Sequence, residues 1–283
     1  ASEFAVDDLH ILGPGGQQIP DHPLLSVPFT DRAPKLDGAL SEDEWDTAAT
    51  TTGFVGLNSP WLVEDQTIAH LCFDDTNLYV GLELTDPQKR PVVGNLAQRD
   101  SAVYTEDAFD IFLRPDPDSY PYYMLSANAI GTRFDLLRRD PGRDDRSDPG
   151  YDPAWTVETS LRHAGGWYAE AAIPFADLGL DSAPADGDRW RANICRDADS
   201  ASRLSSWAYT DGNFHRTANF GELIFRRGPR AISLSAINGF GRGDLTGQIE
   251  LEGTSFQPIV SVTHRILDSD AKPVVDETTR LMD

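Results

Sequence analysis

Short runs of alternating apolar and polar residues recur along most of this chain, and that period restricts it to β structure. LLSVPF, TIAHLCF, LYVGLEL, AFDIFL, YYMLSAN, RFDLL, WTVETSL, WYAEAAI, RWRANIC, SWAY and ELIFR all read this way, with Gly, Pro, Asp and Asn clustered between them. Strands of this length at this spacing predict an all-β, two-sheet antiparallel β-sandwich. Helix signals are few. Ser41 with Glu44 three residues on forms a capping-box pattern for one short helix, and PFADLGL offers another single turn.

The richest run is YTEDAFDIFL, residues 104 to 113. Alternation assigns Phe109, Ile111 and Leu113 to the core face. Tyr104, Glu106, Ala108 and Asp110 share the other face, with Phe112 at its far end. A ring beside two carboxylates suits the surface of a sugar. The ring covers the apolar side of a pyranose, and the carboxylates accept its hydroxyl protons. The alternative is a solvated strand face carrying an incidental tyrosine.

Charge narrows the partners. The chain has 46 acidic and 24 basic residues, a net charge of −22, which argues against nucleic acid and against an anionic membrane surface. Lysine is confined to Lys35, Lys89 and Lys272, so arginine carries nearly all positive charge. No window approaches the ~20 apolar residues of a membrane span. Cys72 and Cys195 lie in apolar strand-like runs, as buried small hydrophobes or as a disulfide. Enzyme signals are thin: no zinc-type histidine spacing, no Gly-x-Ser-x-Gly elbow and no phosphate loop. Acid–base work would fall to His215 with Asp110 or Glu106, and glycoside hydrolysis to a carboxylate pair among Glu106, Asp110 and Asp211.

Along the chain, residues 1–27 carry a Gly/Pro-rich lead-in and residues 28–228 the strand-rich body. Residues 229–283 change composition and read as additional β-strands or the start of a following module.

Within the body, PKLDGALSEDEWDTA (34–48), DDTNLYVGLELTDP (74–87), EDAFDIFL (106–113), GGWYAEAAIPFADL (165–178), WRANICRD (190–197), SSWAY (205–209) and NFGELIF (219–225) follow one another. In this order they resemble family 9 carbohydrate-binding modules, over roughly residues 28 to 227. Most of the motif residues have structural readings: Leu36, Trp45, Tyr79, Trp167, Ile173, Pro174, Trp190 and Trp207 as core or turn positions, and Gly38 and Gly221 as turns.

The resemblance implies a terminal sugar held between two rings, which fall on Tyr104 and Phe214; better-known members have tryptophan at both. It also implies polar contacts at Asp110 and Asp211. An arginine used by some members falls near Ser126, which lacks that fork of donors. Asn128, on the same face by parity, and Glu106 are the further candidates for the hydroxyls.

Relatives carry structural calcium, and acids cluster at Asp74/Asp75, Glu106/Asp107, Asp144/Asp145/Asp148 and Asp197/Asp199. Asp107, Asp74 and Asp197 are the candidate ligands. Asp107 points to the core by parity, which is costly unless it is paired or metal-bound. Haem-binding relatives share the sandwich, but Met124 is the one well-placed methionine.

The expectation is a non-catalytic module that binds a saccharide or polysaccharide, outside the cell or in its envelope, without nucleic acid or membrane insertion and alongside neighbouring domains. The alternatives are a catalytic module of a polysaccharide-processing enzyme and a structural sandwich of a larger secreted protein.

Overall fold

A computed structural model describes residues 22–40, 42–139, 148, 150–198 and 203–227, together with four later strands. In chain order the strands are β1 (Leu24–Pro28), β2 (Ala49–Thr51), β3 (Val55–Gly56), β4 (Ser59–Leu62) and β5 (Thr67–Phe73). Next come β6 (Asn77–Thr85), β7 (Ala108–Arg114), β8 (Tyr122–Asn128), β9 (Arg133–Arg138) and β10 (Thr156–Leu161). The body closes with β11 (Gly166–Pro174), β12 (Arg189–Asp197), β13 (Ser205–Ser206) and β14 (Gly221–Arg226).

Among the described residues, nine of these strands form one sheet and five the other. The larger sheet runs β4-β3-β13-β12-β7-β8-β9, with β14 also on β12 and β1 on β14; the smaller runs β10-β11-β6-β5-β2. Pairing is antiparallel except where β1 lies parallel to β14. The two-sheet antiparallel sandwich read from the alternation is the observed fold. β1 begins at Leu24, so the body starts before the boundary expected at residue 28.

The main core lies between the sheets. Phe109, Ile111 and Leu113 of β7 face inward, as alternation required, onto Leu71, Val80, Leu82 and Trp167. Trp190 packs against Phe225 in a tilted pair, with 4.5 Å between ring centres. A buried polar network also joins the sheets: Arg196 of β12 donates to the carbonyls of Thr85 (2.7 Å) and Asp65 (3.2 Å). Around it Arg90 pairs with Asp65 and Asp86, and Arg203 with Asp65, Asp86 and Asp107.

The PKLDGALSEDEW motif covers the outer face of the smaller sheet. Its helix α1 (Glu42–Trp45) is one turn long, and Ser41, its expected cap, lies outside the described residues. Trp45 and Leu40 pack with Cys72 and Tyr79. They approach so closely that a Cβ on Gly81 would sit 2.6 Å from Leu40 Cδ2 and 3.1 Å from two Trp45 ring atoms. Gly81→Ala is expected to lower stability by about 2 kcal/mol through overpacking, measured as a fall in the urea midpoint with unchanged slope.

PFADLGL forms the expected single turn, a 3-10 helix over Phe175–Leu178, closed by Gly179 at φ +71°. Both cysteines are buried and neither is in a disulfide, Cys72 lying on the smaller sheet and Cys195 on the larger. Among the described residues, the tail pairs β15 (Ser233–Asn238) with β16 (Thr246–Glu250) and β17 (Ser261–Leu267) with β18 (Pro273–Arg280), both antiparallel. Each pair forms a two-stranded sheet among the described residues.

Candidate functional site

The outer face of the larger sheet carries the chemistry. Because Phe109, Ile111 and Leu113 face the core, Ala108, Asp110 and Phe112 point the other way. Register places Asp110 between Ser126 of β8 and Cys195 of β12, and Ala108 between Asn128 and Asp197. Phe112 lies between Met124 and Asn193, and Phe134 of β9 pairs with Ser126. Two carboxyls thus sit among small residues, with aromatic side chains along the neighbouring rows.

This face is not the open strand face expected from the sequence. Ala108, Asp110 and Phe112 are all buried, and Phe112, Tyr122, Met124, Cys195, Phe214 and Phe220 form a second apolar cluster there. The strand also starts later than expected. Residues Val103–Thr105 turn as a 3-10 helix, so Tyr104 and Glu106 precede β7 instead of continuing its alternation.

Tyr104 remains exposed and stands edge-on to Phe134, with ring centres 5.4 Å apart. Phe134 in turn packs against the second cluster. Phe214 belongs to that cluster and is only 9% exposed, so it lacks the free ring face that a clamp requires. Both rings therefore belong to the same side of the sheet, but only Tyr104 is bare.

The polar candidates separate into two sets. Glu106 and Asn128 are buried loop anchors. Glu106 accepts hydrogen bonds from the backbone N–H groups of Asn95 (2.8 Å) and Leu96 (3.1 Å) and from Asn128 Nδ2 (3.1 Å). Burial alone would raise its pKa, but these donors hold the carboxyl below its usual range. Asn128 Nδ2 also donates to the Leu96 carbonyl, while its Oδ1 accepts from Ile130 and Thr132. Their oxygens and amide are thus taken up by the 95–96 loop and the β8–β9 turn, where hydroxyl recognition was expected. Asp211 is exposed, at φ +49°, and accepts from the Tyr209 hydroxyl while pairing with Arg216.

Asp110 and Asp197 are different. They lie beside each other, both buried; the Ser126 hydroxyl and Asp197 bear on Asp110, but Asp110 Oδ1, Asp197 Oδ2 and Ser126 Oγ make no well-aligned hydrogen bond. Burial pushes both carboxyls up, and the charge of Asp110 pushes Asp197 further.

The three acids expected as calcium ligands do not converge. Asp74 caps the β5–β6 turn, accepting from Thr76 and Asn77 N–H and from the Tyr79 hydroxyl at 2.7 Å. Asp107 accepts from Val93 N–H at 2.8 Å and faces Arg203. Asp197 faces Asp110. Among the described residues, no group of three or more acidic, histidine or cysteine side chains is arranged to hold a metal ion. These residues do not fit a calcium cage, since calcium takes six to eight oxygens. Asp144, Asp145 and Asp199 lie outside the described residues.

His215 does not face the carboxylates as an acid–base partner would. Its Nδ1 lies 2.9 Å from the Tyr122 hydroxyl and its ring is edge-on to Phe112. Burial, aided by Arg138, lowers its pKa to about 4, so the ring is neutral at pH 7. Sequence reading missed Phe134 as the support of Tyr104. Its parity with Ser126 across the NAIGT turn was the available signal.

A family described as carbohydrate family 9 binding domain-like matches residues 36–227. A search of curated proteins finds no significant match. Among solved structures, a candidate carbohydrate-binding protein from Bacteroides uniformis ATCC 8492 is 16% identical, with a TM-score of 0.60, and the match covers 73% of this chain and all of that one. A family 9 carbohydrate-binding module from Caldicellulosiruptor kristjanssonii, solved with glucose, is 21% identical with a TM-score of 0.50, over 72% of this chain and 96% of that one. Both are likenesses of fold.

Proposed function

Because the chain belongs to the carbohydrate family 9 binding domain-like family, we propose that it binds a saccharide on the outer face of its larger sheet and performs no chemistry of its own. The carrying observation is the exposed Tyr104 ring, backed by Phe134, on the face where Asp110, Asp197 and Ser126 hold acceptors with no well-aligned donor. Tyr104 stacks on the apolar side of a terminal sugar. Asp110 takes its hydroxyls once the side chains over it move aside, Asp211 and Phe214 border the site, and Glu106 with Asn128 fix the adjoining loop. The glucose bound by the C. kristjanssonii module supports this class of ligand. A polysaccharide outside the cell or in its envelope is the natural target, met in company with neighbouring domains.

One ring and a short polar floor make a weak site. At roughly −0.3 kcal/mol per heavy atom, a disaccharide gains about −7 kcal/mol, a Kd on the order of 10 μM. Isothermal titration against a glycan panel tests the reading. Tyr104→Ala is expected to weaken binding about tenfold, the loss of one ring contact, at an unchanged melting temperature. Unaltered affinity in that variant, or no binding of any glycan by the wild type, rejects it.

A further inference from the structure

Resting on the saccharide reading above, we infer that the Asp110–Asp197 pair selects a sugar bearing a free primary amine. The inference comes from how this fold treats its other buried acids. Asp65, Asp86 and Asp107 face arginines. Glu106 and Glu170 are each met by three N–H groups. Asp135 pairs with Arg99 and accepts from Trp155 Nε1.

Asp110 and Asp197 receive neither a cation nor a backbone amide from the described residues. Each is at least nine-tenths buried, and so is Ser126. Two acids at one spot without a counter-charge are costly, and the cost is removed by a ligand that brings positive charge and donors.

The acceptor count points to an ammonium. Asp110 Oδ1, Asp197 Oδ2 and Ser126 Oγ are three buried acceptors on one face with no well-aligned donor, and a primary ammonium presents three N–H donors and no acceptor. A neutral sugar hydroxyl presents one donor and leaves the pair's charge uncompensated. Ala108 and Cys195 flank the pair, so no large side chain competes for the space beside it in the sheet registers. A metal ion is a poorer fit, since two carboxyls and a hydroxyl fall short of calcium's six to eight oxygens. Both acids are covered in this structure, so the amine reaches them with displacement of the overlying side chains.

Isothermal titration of the full chain at pH 6.5 with three disaccharides tests this: the β-1,4 glucosamine dimer, its N-acetylated form, and cellobiose. The glucosamine dimer is expected to bind at least about tenfold more tightly than the other two, the effect of one charge-assisted contact. The isosteric double variant Asp110→Asn/Asp197→Asn is expected to erase that preference while keeping the wild-type circular dichroism spectrum. Equal affinity for cellobiose and the glucosamine dimer overturns the inference and leaves saccharide binding standing. Binding of none of the three overturns both. Heat on titrating calcium chloride alone, lost in the double variant, assigns the pair to a metal and also overturns it.

Discussion

Replacing Glu170 with alanine is expected to lower the unfolding free energy by about 4 kcal/mol, an effect large enough to leave a domain of ordinary stability marginal. The side chain sits at mid-strand in β11, fully buried, opposite Gly81. It accepts from the N–H groups of Asp37 (2.9 Å) and Gly38 (2.6 Å) and from Trp45 Nε1 (2.9 Å). Alanine would leave these donors without an acceptor, each at a cost of about 1–3 kcal/mol where water cannot reach it. Segment 37–45 would then lose its anchor to the smaller sheet. Glu170→Gln keeps the shape but turns an amide N–H₂ towards donors, so an intermediate loss of about 2 kcal/mol is expected. Urea unfolding followed by tryptophan fluorescence measures both; a loss below 1 kcal/mol in the alanine variant would show that the contacts are incidental.

Converting Asp110 and Asp197 to asparagine is expected to have the opposite effect, stabilising the protein by on the order of 2 kcal/mol at pH 8. Burial raises both carboxyls, and Asp110 raises Asp197 further. A carboxyl with a folded pKa above its unfolded value stabilises the fold below the unfolded value, and that contribution disappears as pH rises through the folded one. The wild type should therefore fall behind the double variant as pH climbs from about 5 to 8, with little difference at the acid end. Melting temperatures across that range provide the measurement. A gap that does not change with pH would mean that the pair is not titrating there.

Much of the fold was legible because its cause is local. Alternation in AFDIFL dictated which side chains of β7 meet the core, and Trp167, Trp190 and Trp207, read as core or turn positions, lie in that core. The candidate site was legible only in part. Period-two reasoning located Asp110 on the outer face, but it was carried four residues too far, through Glu106 to Tyr104, where a 3-10 turn precedes the strand. Nor could it say that the face would be filled. Phe214 and Phe220 arrive from a loop distant in sequence and pack over Phe112 and Tyr122. The roles of Glu106 and Asn128 depended on the 95–96 backbone, whose path no side-chain pattern records. Asp107 was expected to need a partner or a metal ion; it faces Arg203, which long-range folding alone could supply.

The parallel pairing of β1 with β14 has a mechanical consequence. Leu24 stands beside Glu222 and Pro28 beside Arg226, so the polypeptide enters at one end of this ladder and leaves at the other. Tension applied through the flanking segments would slide the two strands past each other, loading all of their cross-links together instead of peeling them one by one. Such a shear-loaded clasp resists pulling far better than its short length would suggest.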